Sequence, residues 1–257
     1  MVIPTLGERL AYFRKSIESI KAQGVPVDIV VVAPQGAHEV REVAEAYGAQ
    51  IADDPGAPAG AINRGIALGL SQQDFVGWLG DDDLLTPDSF VLMTSLLDDQ
   101  KDAVLAFGAC RYVDPQGRPL WVSSAGSWAE RLLSWGPDLI PQPGMLVRAS
   151  AWQQVGGLDE SLTMAFDLDL LLRLRREGTF VSSGEVVSCF RWHSTSLTAS
   201  NRTRNLQESE LVKRRYLKPR YQSWAWLWER PVRLATRLAA WRLHRRVGRM
   251  AMYEQRT

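Results

Sequence analysis

The sequence predicts an α/β fold with a mostly parallel central sheet, and two observations lead to this prediction. Short apolar runs alternate with segments of helical apolar spacing through the first half of the chain, which is typical of parallel strands joined by helices. The run Ile29–Val32 is continuously β-branched, as expected of a strand that is buried on both faces. Ligands of such sheets bind beyond the carboxyl ends of the strands.

Strands and helices alternate regularly in the first third of the chain. The predicted strands are the apolar runs Val2–Ile3, Ile29–Val32, Gln50–Ala52 and Phe75–Leu79. The predicted helices have apolar residues three or four positions apart and are Leu10–Ile20, Val40–Tyr47 and Ala59–Leu70. Pro4 ends the first strand, and Gly48 ends the second helix.

The rest of the chain is less regular. The predicted elements are a helix Leu84–Leu97 with the start signal Thr86-Pro87, a strand Ala103–Val113, helices Ala149–Val155 and Asp167–Arg176, and strands within Phe180–Phe190. Residues 123–144 are rich in Gly, Pro, Ser and Trp and are predicted to be irregular. A basic helical pattern begins at Asn205.

Charge is unevenly distributed along the chain. Its 257 residues are 46% apolar and 23% charged, with a net charge of +1, which is ordinary for a folded protein. Residues 211–257, however, hold 13 Lys and Arg against 2 Asp and Glu, so this tail is net +11 and the remaining body net −10. The asymmetry predicts a basic appendage with an anionic partner.

The sequence favours a cytoplasmic protein. No basic leader with an apolar core precedes the first strand, and no run approaches the ~20 apolar residues of a membrane span. Cys110 and Cys189 lie in no metal-type spacing. Such low cysteine use fits a reducing compartment.

Three adjacent carboxylates, Asp81, Asp82 and Asp83, follow the predicted strand Phe75–Leu79. Neighbouring carboxylates raise one another's pKa unless a cation neutralises them. Mg²⁺ and Mn²⁺ prefer oxygen ligands and share them with phosphates. The cluster therefore predicts a metal–diphosphate site, and the alternative is a solvated acidic turn that caps the next helix.

The chain resembles the family 2 glycosyltransferases over about residues 2–198. The motifs that carry the resemblance, in the family's order, are Pro4-Thr5 with Ser16–Ile20, Gly60–Gly65, Leu79–Asp83 with Pro87, Gly156–Leu162 leading into Ala165–Arg173, and Phe190–His193. The resemblance implies a GT-A (Rossmann-like) domain at residues 1–204, with residues 205–257 as a basic, Trp- and Arg-rich helical extension. It also implies a nucleoside-diphosphate sugar donor, Mg²⁺ or Mn²⁺, and inversion at the anomeric carbon.

The family's Asp-x-Asp signature is altered in this chain. Aligned on Pro87, its first Asp falls on Gly80 and its second on Asp82. The resemblance thus implies Asp82 as a metal ligand and Asp81 as the replacement carboxylate. It also implies that His193 of the late histidine element joins the metal or binds the leaving phosphate, and the alternative is an ordinary hydrogen-bonding histidine.

The residues expected around the donor lie after several predicted strands. The family's acidic residues after the second strand are replaced here by Ala33–Gly36, so we expect Asp53 and Asp54 to take over part of their role. The full set of predicted donor contacts is Thr5, Glu8, Asp53, Asp54, Asn63, Asp81 and Arg191. Packing is the alternative role for Asn63, and a strand-surface position is the alternative for Arg191.

Inverting transfer needs a base that removes the proton of the acceptor hydroxyl. Asp167 and Asp169 stand two positions apart at a helix start, so their side chains point in different directions. The resemblance places the base on Asp167, whereas Asp169 is predicted to pair with Arg173 at i+4. Alternatively, both acids only complement the helix N-terminus. Core packing is favoured for Trp128 and Trp135, with stacking on an acceptor sugar as the alternative.

The tail combines arginines with Trp224, Trp226, Trp228 and Trp241. This composition suits a helix in an anionic membrane interface, such as the inner face of the plasma membrane, where lipid-linked acceptors would lie. The alternative is a helical hairpin packed on the acidic body. Nucleic-acid binding has no other support in the chain.

The sequence therefore predicts a glycosyltransferase that moves a sugar to a hydroxyl acceptor, in surface-polysaccharide or glycolipid synthesis. One alternative is a sugar nucleotidyltransferase of related fold, but its phosphate loop would need more glycine than Leu6–Arg9 offers. The other alternative is a non-catalytic nucleotide-sugar-binding module, which Gly80 keeps open.

Overall fold

The computed structural model describes residues 1–69, 72–123, 126, 128–193, 202–222, 224–235 and 238. The strands are β1 (Val2–Pro4), β2 (Val30–Ala33), β3 (Gln50–Asp53), β4 (Phe75–Val76), β5 (Leu84–Leu85), β6 (Ala103–Val113), β7 (Pro119–Ser123), β8 (Leu146–Arg148) and β9 (Thr179–Arg191). The helices are α1 (Leu10–Lys21), α2 (His38–Ala46), α3 (Pro58–Ala67), α4 (Ser89–Asp99), α5 (Trp128–Leu132), α6 (Ala149–Val155), α7 (Phe166–Leu174), α8 (Arg202–Tyr216) and α9 (Pro219–Gln222). Residues 226–235 are also helical.

The first three strands form a parallel sheet in the order β1-β2-β3. Their carboxyl ends lie side by side, because Pro4 pairs with Val32 and Val32 pairs with Ala52. The alternation of apolar runs and helices correctly predicted this half of the fold. The residues that follow these strands therefore line one edge of the sheet.

The second sheet is mixed and has the order β4-β8-β6-β9-β5, with β7 paired to β6. Its β6 and β9 run parallel, whereas the other described pairs are antiparallel. A parallel bridge between Val2 and Trp78 joins the two sheets, with the Leu79 N–H donating to the Val2 carbonyl oxygen at 2.9 Å. Residues 75–79 thus pair with β8 on one side and with β1 on the other. The acidic cluster Asp81–Asp83 follows this segment.

The predicted helix Leu84–Leu97 is wrong at its start. Leu84 and Leu85 form β5, which pairs with β9, and α4 begins only at Ser89. Pro87 disfavours helical geometry at the residue before it. The N–H of that residue, Thr86, instead donates to the Val187 carbonyl oxygen at 3.0 Å, which continues the strand pairing.

Helices cover both faces of the sheet, so two apolar cores form. Val30 and Val32 belong to one core, whereas Val31 and Ala33 belong to the other, because successive strand residues point to opposite faces. The first core contains residues of α3, α6 and α7, and the second contains residues of α1, α2 and α4. The continuous β-branched run correctly predicted a strand buried on both faces.

The C-terminal helices pack on the body through their described residues. Arg215 Nη1 lies 3.0 Å from Asp159 Oδ2, and the Trp135 and Trp228 rings contact each other with centroids 4.7 Å apart. The alternative given for the tail, packing on the acidic body, is thus observed for Arg215 and Trp228. Trp241 lies outside the described residues. No helix among the described residues has the length and apolar character needed to cross a bilayer.

Gly65 lets α3 approach the parallel sheet closely. A Cβ atom at this position would lie 2.6 Å and 2.8 Å from the two Val2 methyl groups, and 3.0 Å from a Val32 methyl group. Overpacking of this kind costs about 1–3 kcal/mol, of which the better helix propensity of alanine offsets at most ~1 kcal/mol. We expect Gly65→Ala to lower the free energy of unfolding, measured by urea denaturation.

Gly69→Ala is the matched control, because no atom lies within 4 Å of its Cβ position. We expect this variant to be as stable as the wild type or slightly more stable. Equal stability of the two variants would contradict the packing argument.

Candidate active site

The acidic loop after residues 75–79 is folded into the protein. Asp81 and Asp83 are each only 3% exposed, so the alternative of a solvated acidic turn is wrong. The Ser16 hydroxyl donates to the Gly80 carbonyl oxygen at 3.1 Å. This bond ties the loop to α1, at the carboxyl edge of the sheet.

Asp83 has a structural role in this loop. Its Oδ1 accepts the Arg191 backbone N–H at 3.0 Å, which joins the loop to the end of β9. Burial, together with the Asp82 charge, raises the pKa of Asp83 well above its ordinary value.

Arg9 holds the other two acids of the cluster together. Its Nη2 lies 2.9 Å from Asp81 Oδ1, and its Nη1 lies 2.7 Å from Asp82 Oδ2. His193 Nε2 lies 2.6 Å from the same Asp82 oxygen, and the Thr5 hydroxyl donates to Asp81 Oδ2 at 2.6 Å. The structure thus brings together four residues that the sequence predicts for the site, and it adds Arg9, which the sequence analysis missed.

The electrostatics of this cluster favour a cation. Burial raises the pKa of Asp81, while the Thr5 hydrogen bond and the Arg9 charge act in the opposite direction. A carboxylate that is costly to bury needs a positive neighbour to remain ionised. Arg9 provides that charge from one side of the cluster.

Asp81, Asp82 and His193 have the donor chemistry of a Mg²⁺ or Mn²⁺ site, since carboxylates and imidazole both suit Mn²⁺. In the part of the chain that the structure describes, however, no group of three or more His, Cys, Asp and Glu side chains is arranged to hold a metal. The guanidinium of Arg9 pairs with both carboxylates instead. The Arg9 side chain is 32% exposed, so it can turn toward solvent. A divalent cation and Arg9 would therefore compete for the same two carboxylates.

Arg191 is buried, and its side chain donates hydrogen bonds to other residues of the protein. Its Nε donates to the Asp82 carbonyl oxygen at 3.0 Å, and its Nη1 donates to the Pro115 carbonyl oxygen at 3.0 Å. The guanidinium also lies 4.4 Å from the centre of the Tyr12 ring. These contacts hold the acidic loop against the turn after β6, so a phosphate contact would need Arg191 to rearrange.

Asp53 and Asp54 lie at the carboxyl end of β3, apart from the Arg9 cluster. Asp53 accepts hydrogen bonds from Gln35 at 2.9 Å and from Arg41 at 3.1 Å, and the Gln35 bond, with Arg41, lowers its pKa. Asp54 Oδ1 accepts the Gly56 N–H at 2.9 Å. The carboxyl edge of the parallel sheet therefore has a polar rim at β3. Gln35, which stands at the place of the family's acidic residues, donates a hydrogen bond to Asp53 on this rim.

The other two predicted donor contacts differ in their surroundings. The Asn63 side-chain amide donates to the Leu158 carbonyl oxygen and accepts the Leu158 N–H, each at 2.9 Å. Its Nδ2 also donates to Glu160 at 2.9 Å. These bonds fasten α3 to the loop before α7, which is the packing role of the alternative. Glu8 is exposed.

Asp167, the predicted base, lies near a second carboxylate. It is half-buried at the start of α7, and burial raises its pKa to about 6 despite the Leu168 N–H bond to its Oδ1. Asp138 reaches solvent, yet partial dehydration by the surrounding protein and the Asp167 charge raise its pKa to about 7. The two acids form a pair that the sequence analysis missed, because Asp138 lies in the irregular region and belongs to no motif.

Asp169 has the structural role that the sequence predicts. Its Oδ2 accepts the Arg173 Nε–H at 2.8 Å, which confirms the i+4 pair, and its Oδ1 accepts the Tyr216 hydroxyl at 2.7 Å. Arg173 Nη1 also donates to the carbonyl oxygens of Val155 and Gly157, each at 2.6 Å. The Asp169 carboxylate is therefore held by two side-chain hydrogen bonds. In the described contacts, the Asp167 carboxylate accepts hydrogen bonds only from backbone N–H groups at the start of its own helix.

The two acidic clusters lie within electrostatic reach of one residue. Dehydration of Tyr112, together with the charges of Cys110, Asp83 and Asp138, raises its pKa. Asp83 belongs to the Arg9 cluster loop, and Asp138 is the partner of Asp167. Tyr112 is thus influenced by one acid from each cluster.

Aromatic residues near the Asp138 segment differ in exposure. Trp128 is 66% exposed, so the prediction that it fills the core is wrong. Trp135 is 39% exposed and packs against Tyr221 and Trp228 of the C-terminal helices. The Arg131 guanidinium lies over the Trp128 ring, 5.1 Å from its centre, and the rest of this side chain is open to solvent.

Comparison with known proteins gives a consistent family assignment. The family model "Glycosyltransferase like family 2" matches residues 1–207. The O-antigen biosynthesis protein RfbC of Myxococcus xanthus is 30% identical over 188 residues, and an uncharacterized glycosyltransferase of Rickettsia felis is 25% identical over 197 residues. These matches include 68% and 71% of this chain but only 14% and 32% of the relatives, so the chain spans a small part of their length.

Solved structures share the fold at low sequence identity. Residues 1–349 of TarS from S. aureus match 87% of this chain and 68% of that chain, with a TM-score of 0.61 and 14% identity. The mannosyltransferase PcManGT from Pyrobaculum calidifontis, solved in complex with GDP-Man and Mn²⁺, matches 93% of this chain and 73% of that chain, with a TM-score of 0.63 and 16% identity. The fold is therefore of the GT-A type.

Competition between Arg9 and a divalent cation is testable. Because both need the carboxylates of Asp81 and Asp82, we expect Arg9→Gln to bind Mn²⁺ about tenfold more tightly than the wild type, a gain of ~1.4 kcal/mol. Isothermal titration calorimetry with MnCl₂ measures this change. Arg14→Gln, inside the α1 helix that follows Arg9, is the control. Mn²⁺ binding by Arg9→Gln that is no tighter than that of this control would contradict the competition.

Proposed function

The chain belongs to glycosyltransferase family 2, and from this membership we propose that it transfers a sugar from a nucleoside-diphosphate sugar to a hydroxyl acceptor with inversion. The observation that carries the proposal is the buried carboxylate cluster at the carboxyl edge of the sheet, and the raised pKa of Asp167 at the start of α7 supports it. The name of the Myxococcus xanthus relative supports a role in surface polysaccharide or glycolipid synthesis. The described GT-A fold corresponds in this proposal to a domain of residues 1–204.

Asp82, Asp81 and His193 would hold Mg²⁺ or Mn²⁺ in the proposed enzyme. The presence of GDP-Man and Mn²⁺ in the structurally similar mannosyltransferase supports both the donor class and the metal. The cation would neutralise the charge that develops on the leaving diphosphate. When Arg9 leaves the carboxylates, its guanidinium is a second group that can face that diphosphate.

The nucleoside would lie along the carboxyl edge of β1, β2 and β3. We assign its contacts to Thr5, Glu8, Asp53 and Asp54, since Asp53 stands on the rim that the parallel register aligns. Gln35 shares this rim through its bond to Asp53. Asn63 supports the site indirectly by fastening the loop before α7.

Asp167 would accept the proton of the acceptor hydroxyl as that oxygen attacks the anomeric carbon. A pKa of about 6 leaves its carboxylate ionised at neutral pH and places it near the optimum for a general base. Asp138 adds negative charge beside it and provides a second proton acceptor. Exposed Trp128 gives the acceptor sugar an aromatic face.

Asp167→Asn tests the proposed base. We expect turnover to fall by about 10²–10⁴-fold, with donor affinity retained, because Asp167 is not part of the cation cluster. Turnover is measured as nucleoside diphosphate released from GDP-mannose, UDP-glucose and UDP-N-acetylglucosamine, with a bacterial glycolipid extract as acceptor. Asp98→Asn is the control, because this acid is 61% exposed on α4.

The outcomes of this test separate the rival functions. Loss of turnover in Asp138→Asn, with normal turnover in Asp167→Asn, would transfer the base role to Asp138. Donors that raise the thermal midpoint of the wild type without any diphosphate release would favour a non-catalytic binding module.

We also propose that the outward side of the C-terminal helices contacts an anionic membrane surface. Large apolar side chains there are exposed, namely Trp224 (60%), Trp226 (50%), Leu227 (47%) and Leu234 (59%). Arg230 lies over the Trp226 ring at 5.6 Å, so a cation accompanies the aromatic surface. Tryptophan and arginine together suit the headgroup region of anionic lipids, on the cytoplasmic side where lipid-linked acceptors would be presented.

The double variant Trp224→Ser/Trp226→Ser tests this contact. We expect at least about a tenfold loss of binding to vesicles that contain 30% phosphatidylglycerol, because buried indole area and charge attraction both contribute to interfacial binding. Flotation measures bound protein. Trp128→Ser, which removes an exposed tryptophan from the body, should float like the wild type. Equal flotation of both variants would exclude this surface as the contact.

A further inference from the structure

Glu208 on α8 caps a different helix, α7. Its carboxylate accepts the backbone N–H groups of Thr163 at 3.0 Å, Met164, and Ala165 at 2.8 Å. Ala165 is the N-cap position of α7, and it supplies no side-chain hydrogen bond of its own. The first N–H groups near a helix start need acceptors. A residue outside the predicted catalytic domain thus provides them.

This cap lies next to the proposed base. The three N–H groups immediately precede Phe166 and Asp167, the first two residues of α7. Glu208 therefore fixes the backbone from which the Asp167 side chain projects. The three N–H bonds hold the pKa of Glu208 below its ordinary value even though burial acts to raise it, so the cap carries a negative charge at neutral pH.

Few charged groups face Asp167. Glu208 is the acid that faces it from α8, and Asp138 faces it from the segment after α5. Lys213 of α8 is buried, donates to the Gly136 carbonyl oxygen and interacts with Asp138.

Among the described residues, the charged side chains of the loop before α7 are paired. The helix α6 has no ionisable side chain. In the loop before α7, Asp159 pairs with Arg215 and Glu160 accepts from Asn63. Arg204, also on α8, acts on Glu208.

We propose that Glu208 is the positioning residue of the Asp167 base, and that α8 is therefore part of the active site. This inference rests on the proposed role of Asp167. The Glu208 carboxylate has two effects. Its oxygens accept the backbone N–H groups that precede α7 and so fix the start of this helix. Its negative charge disfavours ionisation of Asp167. The second effect raises the pKa of Asp167 toward neutrality, where a base works best.

Glu208→Gln removes the negative charge at the same chain length and keeps one acceptor oxygen, which can still accept the Met164 and Ala165 N–H groups that share Oε2. Its amide nitrogen replaces Oε1, so the bond from the Thr163 N–H is lost. Loss of the negative charge should lower the pKa of Asp167 by about 0.5 or more. Carboxyl ¹³C chemical shifts, followed against pH and assigned with Asp167→Asn, measure that pKa without substrate. The acidic limb of kcat/KM should move to lower pH by the same amount, since the base then stays ionised in more acidic solution.

Glu208→Ala removes the acceptor as well. We expect kcat at pH 8 to fall about tenfold to a hundredfold with KM little changed, because a misplaced catalytic group costs on this scale. Glu210→Gln is the control on the same helix, since Glu210 binds Arg233 instead. It should leave both the pKa of Asp167 and kcat unchanged.

An unchanged pKa of Asp167 in Glu208→Gln would overturn the inference, and so would a wild-type kcat in a folded Glu208→Ala protein. These outcomes differ from failure of the proposed function. If Asp167→Asn keeps full turnover, the base assignment fails. If Asp167→Asn is inactive while the Glu208 variants behave as wild type, only the positioning role fails.

Discussion

Compensation of buried negative charge is the constraint on which the rest of this structure depends. Asp81 and Asp83 stand in the loop after an interior strand segment, and buried carboxylates persist only with cations or hydrogen-bond donors beside them. The donors come from two separate parts of the chain: the segment between β1 and α1, with Thr5 and Arg9, and the end of β9, with Arg191 and His193. Because these two parts are distant in sequence, charge compensation ties the ends of β1 and β9 to the same loop.

The same constraint explains why this loop suits a charged ligand. Two carboxylates and one guanidinium leave the Asp81–Asp82–Arg9 group with an excess of negative charge. In the proposed enzyme a divalent cation would relieve that excess better than a single guanidinium, and the displaced Arg9 would then be available to a diphosphate. Around the proposed base, Asp138 and Glu208 are further acids, and the Glu208 charge raises the pKa of Asp167, the group that would accept the proton.

Local sequence pattern predicted the elements well but not their long-range partners. Apolar spacing placed α1 and β6 correctly, and the two-residue offset of Asp167 and Asp169 correctly gave them different surroundings. The helix start at Leu84 was wrong because its apolar residues serve a strand pairing with β9, more than a hundred positions away. Arg9 and Asp138 were missed because their roles depend on partners distant in sequence, which no spacing rule detects. The hydrogen bonds that Glu208 accepts at the start of α7 likewise join residues that are distant in sequence.

Some of the basic residues of the tail form ion pairs with particular acids. In the described part of the tail, Arg214 pairs with Glu229 at 2.6 Å and Arg233 pairs with Glu210 at 2.5 Å, so these arginines are compensated within the C-terminal helices. Arg215 pairs with Asp159 of the body at 3.0 Å. These few pairs use little of the tail's net charge of +11. In the described helices, packing on the body and the proposed contact with an anionic surface therefore do not compete, because Arg215 and Trp228 contact the body whereas Trp226, with Arg230 over its ring, is exposed.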